Sequence, residues 1–560
     1  MIEKKWWMQA VGYQIYPRTF YDTNQDGVGD LRGIITKLDY LKELGIDLIW
    51  IGPFYRSPMD DNGYDVSDFY DVDPMFGTLN DAKELIEKAH QKGIRIILDL
   101  VLNHTSDEHP WFMEARSSVD NPKRDYYIWQ KGKEVDGKLL PPTNWGSFFE
   151  GSAWNYDVNT DEYYMKIFSN KMPDLNWSNP ALREEMYAVA RWWLDQGVDG
   201  FRVDAIAHLA RDLSFTDSEL PMNDHGVAPD WAKFSNREEL FYYIHEFNQK
   251  VLSHYDCMSV GEVGGGAKVE AGVRYAGYDA QAFNMVFNFD HCWSKGGMGI
   301  SDNDDKMRVD VIQLKQNMAY WIDGMKDKGW LPHYWLNHDH PRVISQYGDP
   351  EHNHRLSGMM LGTILLTLPG TPFIYNGEEI GMTNVDYESI DDFKDVWVKN
   401  NAPALLKKYP LEIVLRHLRR TSRDNARTPM QWTDETYAGF SSVEPIQKVN
   451  RNASWLNVQA QENSEDSILN HYRKLVHLRK NPDYLETLVF GDFALVDAKN
   501  PDVYAFTRTS KDKKITVIAN FRAESVKFEH MAKSLCLSNY PDTAVVLTEL
   551  RPFEAIVFED

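Results

Sequence analysis

The sequence predicts an α/β protein in which a (β/α)8 TIM barrel carries a small inserted domain after strand 3 and a C-terminal antiparallel β-domain. Three observations predict this fold class. A helical pattern runs into a glycine and then an apolar strand three times in the first two hundred residues. Further apolar runs bring the candidate strands to eight. No glycine-rich phosphate loop follows the first of them, as an open doubly wound sheet would require.

The repeat reads LKELGIDLIWIGP, AHQKGIRIILDLV and WLDQGVDGFRVDA. Ahead of the second glycine, apolar residues recur at helical spacing at Leu79, Ala82, Ile86 and Ala89. The strands are continuous apolar runs, which is typical of a parallel sheet covered by helices. The other candidate strands are VGYQIYPRTF, DCMSVGEV, AFNMVFNF, HYWLNHD and PFIYNGEE.

Two segments do not fit the barrel period. Residues 105–173 separate the third strand from its helix and are rich in Trp, Tyr, Asn and Asp, which predicts an inserted domain B. Residues 482–560 carry short alternating runs such as VYAFTRT and ITVIANF, which predicts an antiparallel β-domain. The catalytic barrel is then predicted to comprise residues 1–104 and 174–481, with the polar segment 383–460 over its mouth.

Composition excludes several classes of partner. With 43% hydrophobic residues, the 560-residue chain can bury a large core. A net charge of -24 without a dense Lys/Arg cluster excludes nucleic acid as a partner. No run of eighteen apolar residues indicates a membrane span, and the start lacks the pattern of a signal peptide. Three scattered cysteines suit a reducing compartment, so we expect a cytoplasmic protein. Its expected oligomeric state is a monomer or homodimer.

Candidate reacting groups follow from the ends of the predicted strands, because a barrel of this kind places its chemistry at the C-terminal face. The polar residues at these ends are Tyr64, Asp65, Asn103, His104, Arg202, Asp204, Glu262, His338 and Asp339. Burying several carboxylates together is unfavourable unless one stays protonated or cations compensate them. Paired carboxylates acquire separate acid and nucleophile roles in this way. A structural ion pair of Asp204 with Arg202 is the alternative.

Four motifs in order identify a family resemblance. DLVLNH at 99–104, GFRVDAIAH at 200–208, GEV at 261–263 and NHD at 337–339 resemble the four signature regions of the α-amylase family of glycoside hydrolases, family 13. Within it, WWMQAVGYQIYPRTF, DDNGYD, NGEEIGMTN and SRDNARTPMQW resemble the branch of α-glucosidases and oligo-1,6-glucosidases. The resemblance covers nearly the whole chain.

The resemblance implies three catalytic residues. Asp204 is expected to be the nucleophile, Glu262 the general acid/base, and Asp339 a stabiliser of the transition state through the sugar hydroxyls. Arg202 lies two residues from Asp204 on the same strand face and is expected to keep Asp204 ionised. Glu262 must begin protonated, which requires a raised pKa.

The same resemblance implies substrate-binding residues. His104 and His338 are expected to donate to ring hydroxyls, with a satisfied barrel histidine as the alternative for either. Tyr64 resembles a stacking platform under the sugar, with core packing as its alternative role.

Two further positions match residues that grip the far side of a non-reducing glucose. Asp61 and Arg423 occupy them, and Arg427 in the same segment is the alternative to Arg423. Together they would close the pocket and make cleavage exo.

The implied activity is that of a retaining exo-α-glucosidase that acts on short α-glucosides through a covalent glucosyl-enzyme intermediate. Ala205, directly after the expected nucleophile, is small, which in this branch goes with α-1,4 bonds, whereas Val goes with α-1,6. Met172 stands where typical members have Gln and resembles members of mixed specificity.

The alternative functions are those of other members of the family. These members are an oligo-1,6-glucosidase, a trehalose-6-phosphate hydrolase, and a sucrose isomerase or glucosyl transferase. A non-catalytic transporter heavy chain is disfavoured because all three expected carboxylates are present.

The stretch DTNQDGVGD near the start resembles most of a calcium loop. Hard oxygen donors alternate along it, but the twelfth position is Gly33 where an EF-hand has Glu. In many members of this branch the loop binds one structural Ca²⁺ or Mg²⁺. The expected ligands are Asp22, Asn24, Asp26, Asp30 and the carbonyl of Val28. A metal-free Asx-rich turn is the alternative, and no organic cofactor is expected.

Overall fold

The computed structural model describes residues 3–149, 151–264 and 266–560. Residues 1 and 2 of the predicted barrel, residue 150 of the predicted inserted domain, and residue 265 lie outside the described residues.

Eight parallel strands form the central sheet, and they are the eight that the sequence predicts. They are β1 (Gly12–Ile15), β2 (Leu48–Ile51), β3 (Arg95–Val101), β4 (Gly200–Asp204), β5 (Met258–Glu262), β6 (Met285–Phe287), β7 (Pro332–Tyr334) and β8 (Thr371–Tyr375). Their order is β6-β5-β4-β3-β2-β1-β8-β7. β6 and β7 meet through side chains, since the Phe287 and Tyr334 rings lie 5.0 Å apart. The predicted barrel is therefore confirmed.

Helices cover the outside of this sheet. They are α1 (Leu38–Leu44), α2 (Leu79–Gln91), α3 (Pro180–Asp195), α4 (Glu238–Lys250), α5 (Val269–Ala276), α6 (Val311–Met325), α7 (His354–Thr367) and α8 (Ile468–Lys480). In α2, Thr78 and Asp81 form a capping box at the start. Its buried face comprises Ala82, Leu85, Ile86 and Ala89. The helical spacing predicted for this segment is thus confirmed.

Glycines set the joints between helices and strands. The three glycines of the repeat, Gly45, Gly93 and Gly197, have φ angles of 90°, 67° and 98°. Glycine adopts this left-handed backbone without a Cβ penalty and so ends a helix cleanly. At the start of β4, a Cβ on Gly200 would lie 1.8 Å from the carbonyl oxygen of Met258. β4 and β5 can therefore approach each other there only because residue 200 has no side chain.

The predicted inserted domain begins and ends at neighbouring points. His104 and Asp174 form an antiparallel bridge where the chain leaves and rejoins the barrel. Between them lie the helix Pro110–Ala115 and the strands Trp129–Gln130, Lys133–Val135, Lys138–Leu140, Trp154–Asp157 and Glu162–Met165. Its aromatic core includes Phe234, which comes from the loop after β4. The segment is thereby packed onto the C-terminal face, while its boundaries at 105 and 173 stay a prediction.

The segment after β8 forms a second cover over the mouth. It contains the helices Val396–Lys408, Leu411–Thr421 and Val458–Glu462. The remaining helices are Trp6–Gln9, Leu31–Thr36, Val343–Tyr347 and Pro482–Leu485, and a hairpin pairs Tyr55–Arg56 with Asp68–Val72. None of the described helices combines the length and apolar content needed to cross a membrane.

The C-terminal region is antiparallel, as the alternating runs predict. Its strands are β9 (Asp492–Val496), β10 (Val503–Thr509), β11 (Lys514–Asn520), β12 (Val526–Met531), β13 (Ser534–Ser538), β14 (Val546–Leu550) and β15 (Ala555–Glu559). Five of them form one sheet in the order β9-β10-β11-β15-β13, and β12 pairs with β14. Lys315 of α6 donates to the carbonyl oxygens of Asp497, Asn500 and Val503 at 2.7–3.0 Å, which ties this module to the barrel.

Candidate active site

The C-terminal ends of the barrel strands open into a cavity of about 490 Å³. Seven of the predicted catalytic and substrate-binding residues line it: Asp61, Tyr64, His104, Asp204, Glu262, Asp339 and Arg423. The other two, Arg202 and His338, are each 1% exposed and contact residues of the cavity wall. The fold therefore brings all nine together.

Arg202 holds three carboxylates on neighbouring strands. Its Nη1 donates to Asp99 Oδ1 and Asp204 Oδ1, both at 2.6 Å, and its Nη2 lies 2.9 Å from Glu262 Oε1. Strand periodicity explains part of this, because residues 202 and 204 share one face of β4. Register explains the rest, since Asp99 on β3 is paired directly with Arg202. Asp99 was missing from the predicted site, although it begins the first motif.

Burial raises the pKa of both members of the central carboxylate pair. The pKa of Glu262 rises to about 7, as its expected role requires. The pKa of Asp204 also rises to about 7 by burial, although Arg202 opposes the rise. Arg202 does not single out Asp204, because it is shared among three carboxylates. The raised pKa values allow the pair to hold a proton near neutral pH, and its two groups titrate together.

A strained turn follows Asp204. Ala205 adopts φ 46° and ψ 33°. This left-handed conformation is less favourable by about 1 kcal/mol for any residue that carries a Cβ. Its N–H donates to Glu262 Oε2 at 3.0 Å. The turn thus links the ends of β4 and β5 and places the Ala205 side chain on the cavity wall.

Arg423 holds a second set of three carboxylates. Its Nε and Nη2 donate to the two oxygens of Asp395 at 2.9 and 2.6 Å. Its Nη1 donates to Asp339 Oδ1 at 3.1 Å, and its Nη2 donates to Asp61 Oδ1 at 3.3 Å. Asp395 was missing from the predicted site. It lies in a polar segment without a strand end, so no local pattern marked it.

The two candidate arginines of this segment occupy different places. Arg423 lines the cavity, with its guanidinium 5.1 Å from the centre of the Phe149 ring. Arg427 is 1% exposed and donates to Asp339 Oδ1 at 2.8 Å and to the carbonyl of His338 at 2.9 Å. Burial alone would raise the pKa of Asp339, but His338 and the two arginines hold it well below its usual range. Asp339 is therefore ionised.

His338 is fully engaged by protein groups. The side-chain amide nitrogen of Gln14 lies 2.9 Å from Nδ1 and can only donate, so Nε2 carries the ring proton. Nε2 lies 2.7 Å from the Tyr64 hydroxyl and 3.1 Å from Asp339 Oδ2. The Tyr64 ring stacks on His338 at 5.2 Å while also lining the cavity. Tyr64 thus packs against His338 at the cavity wall, and its role as a stacking platform under the sugar stays a prediction.

His104 has a free polar atom. Its Nδ1 lies 3.1 Å from the side-chain amide nitrogen of Asn103, which donates. Its buried Nε2 has no hydrogen-bond partner within the described part of the chain. Burial lowers the pKa of His104 to about 3, so the ring is neutral, and a backbone hydrogen bond with Tyr64 opposes the shift. A bound hydroxyl group would give Nε2 a partner.

The predicted metal loop is closed by its own hydrogen bonds. Asp22 accepts from the backbone N–H groups of Asn24, Gln25 and Gly27 at 2.8–3.0 Å. Asp30 caps the helix Leu31–Thr36 by accepting from the N–H of Gly33 at 2.7 Å. No group of three or more His, Cys, Asp or Glu side chains among the described residues is placed to hold a metal ion. The loop thus has the hydrogen bonds of an Asx-rich turn, and its metal ion stays a prediction.

The remaining predicted ligands of this loop also bond to each other. The Asn24 side chain donates to Asp26 Oδ2 at 3.0 Å, and the N–H of Val28 donates to Asp26 Oδ1 at 2.9 Å. The donor types suit a hard cation.

The geometry defines a class of protein. A pair of buried carboxylates joined by one guanidinium at the C-terminal face of a (β/α)8 barrel, with a third ionised carboxylate beside it, is the arrangement of a glycoside hydrolase. The chain belongs to the α-amylase family, because the family profile "Alpha amylase, catalytic domain" matches residues 14–487.

The known proteins that are similar to the chain have several different activities. It is 44% identical to an oligo-1,6-glucosidase of Bacillus cereus over 100% of both chains. It is 40% identical to an α-glucosidase of Pediococcus pentosaceus over 99% of both. Among solved structures, the trehalose-6-phosphate hydrolase of Bacillus licheniformis matches with a TM-score of 0.90 at 38% identity, covering 99% of this chain and 100% of that one.

Proposed function

We propose that the protein is a retaining, exo-acting α-glucosidase that releases glucose from the non-reducing end of short α-glucosides. The observation that carries this proposal is the pair of Asp204 and Glu262 on a single guanidinium in the cavity. Retaining enzymes need their two carboxyl groups about 5–5.5 Å apart, and inverting enzymes need about 6.5–9.5 Å. Two carboxylates on one Arg202 fork suit the shorter separation.

The reaction needs one carboxyl group of the pair to be ionised and the other to be protonated. Asp204, ionised, attacks the anomeric carbon while Glu262 donates its proton to the glycosidic oxygen, and the leaving sugar departs. The covalent bond then joins Asp204 to glucose. Glu262, now ionised, takes a proton from water, and the resulting hydroxide displaces Asp204 to release glucose. Each turnover returns one proton to the pair.

The residues around Arg423, together with His104, bind the substrate. Asp339 stays ionised and accepts from sugar hydroxyls, and its charge stabilises the oxocarbenium-like transition state. His104 Nε2 donates to a further hydroxyl. Arg423 and Asp61 stand on the wall of the same cavity and would block a longer chain beyond the non-reducing glucose. This supports exo cleavage.

For linkage, α-1,4 bonds are favoured. The small Ala205 side chain leaves space on the cavity wall where the leaving sugar turns. The similarity to oligo-1,6-glucosidases points to α-1,6 bonds. Initial rates of glucose release from maltose and isomaltose at equal concentration decide between them. We expect maltose to be faster. A faster rate on isomaltose would refute the α-1,4 preference, leave the mechanism intact and make Met172 the next residue to test.

A phosphorylated substrate fits the cavity poorly. Arg423 is the one Arg or Lys among the described residues that line it, and three carboxylates already surround Arg423. A sugar phosphate would face the carboxylates of Asp61, Asp204, Glu262, Asp339 and Asp395. We therefore expect no measurable turnover of trehalose 6-phosphate. Incubation with sucrose separates hydrolysis, which yields glucose and fructose, from isomerisation.

A divalent cation, Ca²⁺ or Mg²⁺, in the loop at residues 22–30 is a second proposal. The donor types support it, since carboxylate, amide and backbone oxygens are hard ligands. An ion would have to replace bonds such as the one from Ser441 Oγ to Asp22 Oδ2 at 2.6 Å. The test is the thermal midpoint in EDTA and after addition of Ca²⁺ or Mg²⁺. A rise with the ion supports the proposal, and an unchanged midpoint identifies a metal-free turn.

A further inference from the structure

A second cavity lies at the opposite end of the barrel, where the strands begin. This floor cleft has a volume of about 360 Å³ and separates the barrel from the C-terminal module. Its apolar walls are formed by Met8, Trp330, Leu331, Val489, Phe490 and Phe493. A 150 Å³ apolar cavity is enough to bind benzene, so a molecule larger than benzene fits here.

An arginine without a carboxylate partner forms part of this cleft. Arg508 of β10 is 0% exposed and lines the cleft. Its Nη2 donates to the carbonyl oxygens of Leu488 and Val489 at 3.1 and 3.4 Å. Its Nε and Nη1 have no partner within the residues described. Buried guanidinium groups are normally paired, because an isolated buried charge is strongly unfavourable.

A second buried arginine increases the positive charge behind the same wall. Arg479 of α8 is 1% exposed and donates to the carbonyl oxygens of Leu366 and Leu368 at 2.9 and 2.8 Å. It forms no ion pair with any described carboxylate. Burial, and then the charge of Arg479, hold the pKa of Arg508 well below its usual range. Two buried cations thus lie at this interface without an ion pair to any described carboxylate, although Asp492 counteracts the shift at Arg508.

The other charged residues of the cleft are exposed, and Asp323 and Asp327 are among them. Asp492 lines it, but its carboxylate is 2.7 Å from Lys326, and both side chains are exposed. Glu486 pairs in the same way with Lys4. His333 also lines the cleft, and its Nε2 has no partner in the described structure. The unsatisfied groups of the cleft are therefore hydrogen-bond donors of Arg508 and a ring nitrogen of His333.

We propose that the floor cleft binds a small amphiphilic carboxylate. Its carboxylate would accept from Nη1 of Arg508 and face Nε2 of His333. Its apolar body would lie against Trp330, Phe490 and Phe493. The anion supplies the negative charge that the two arginines lack, and the apolar walls favour a carboxylate with a hydrocarbon tail over a strongly hydrated ion. The site lies at the far end of the barrel from the active-site cavity and does not rest on the proposed function.

The test measures binding of hexanoate by calorimetry and by the thermal midpoint of the full chain. Acetate lacks the tail and 1-hexanol lacks the charge, so both should bind at least about tenfold more weakly than hexanoate. Arg508→Met should abolish the saturable hexanoate signal, and the variant should fold because it removes an unpaired buried charge. Lys533→Met removes a positive charge from an exposed site of the same module and should leave binding unchanged.

A second variant covers the case in which Arg508→Met does not fold. His333→Phe keeps the ring shape and removes the polar atom, so hexanoate affinity should fall several-fold. The proposal is overturned if hexanoate gives no saturable signal, if acetate matches it, or if Arg508→Met binds it as well as the unchanged chain. Glucose release serves as a separate readout, since a failed binding test leaves the active-site proposal untouched.

Discussion

Arg202 and Arg423 each contact three carboxylates at the same mouth of the barrel. The two clusters are assembled from different parts of the chain. The Arg202 cluster comes from three adjacent strands, β3, β4 and β5, and its guanidinium is 1% exposed. The Arg423 cluster comes from three separate connections, after β2, after β7 and after β8, and the Arg423 side chain is 17% exposed. One cluster is positioned by sheet register, and the other is positioned by packing between loops.

The two clusters also differ in charge state. In the Arg202 cluster, burial raises the pKa of Asp99, Asp204 and Glu262. In the Arg423 cluster the pKa values of Asp339 and Asp395 are lowered, and only that of Asp61 is raised. The main cause of the lowering at Asp339 is His338, followed by Arg423 and Arg427, and the main cause at Asp395 is Arg423. One cluster can therefore hold a transferable proton, and the other holds fixed negative charge.

The largest effect is expected from Asp204→Asn in the Arg202 cluster. An amide cannot form the glycosyl ester, so kcat on a p-nitrophenyl α-glucoside should fall by at least about 10⁴-fold. Circular dichroism should show an unchanged fold. A variant that keeps ordinary activity would contradict the assignment of Asp204 as nucleophile.

A smaller loss is expected in the Arg423 cluster. Asp395→Asn removes the paired acceptor that orients Arg423, and misplacement of a binding group by about 1 Å lowers kcat/KM by roughly 10²-fold. Because Asp395 acts through Arg423, KM should rise and Asp395→Glu should restore part of the activity. Asp391→Asn changes an exposed carboxylate of the same segment and is the matched control. Equal kinetics for both Asn variants would remove Asp395 from the site.

Ala205→Val tests whether the strand cluster also sets linkage preference. The added methyl groups narrow the space beside Asp204, and pocket changes of this size alter discrimination by roughly tenfold. We expect the ratio of maltose to isomaltose turnover to fall. If the ratio does not move, while kcat on the p-nitrophenyl glucoside is retained, Ala205 is not the selector.

The smallest expected effect is on thermal stability. Asp204→Asn and Asp339→Asn should shift the thermal midpoint in opposite directions. The pKa of Asp204 is raised in the fold, so its contribution to stability decreases as pH rises from about 4 to about 7. Asp204→Asn should therefore raise the thermal midpoint relative to the unchanged chain more at pH 8 than at pH 5. The pKa of Asp339 is depressed, so Asp339 stabilises above its unfolded pKa, and Asp339→Asn should lower the midpoint at both pH values.

The shifts should be roughly 1–3 °C and are read by calorimetry at the two pH values. Shifts of the same sign and size for both variants at pH 8 would show that the two clusters do not differ in charge state.

Sequence alone determined the barrel and the strand cluster. Helical and strand periods are set by backbone geometry, so the eight strands follow from local patterns. The same period places Arg202 and Asp204 on one face of β4, and strand ends point to Glu262 and Asp339. The motifs then supplied the family.

Tertiary structure alone decided what depends on distant parts of the chain. It placed Asp395 on Arg423 and oriented Arg423 rather than Arg427 into the cavity. It also shared Arg202 among three carboxylates, so Arg202 does not offset the effect of burial on the pKa of Asp204. It also showed that the carboxylates of Asp22 and Asp30 accept hydrogen bonds from backbone N–H groups of their own segment. No local pattern contains these facts, because loop contacts, burial and pKa values arise only when segments hundreds of residues apart are packed together.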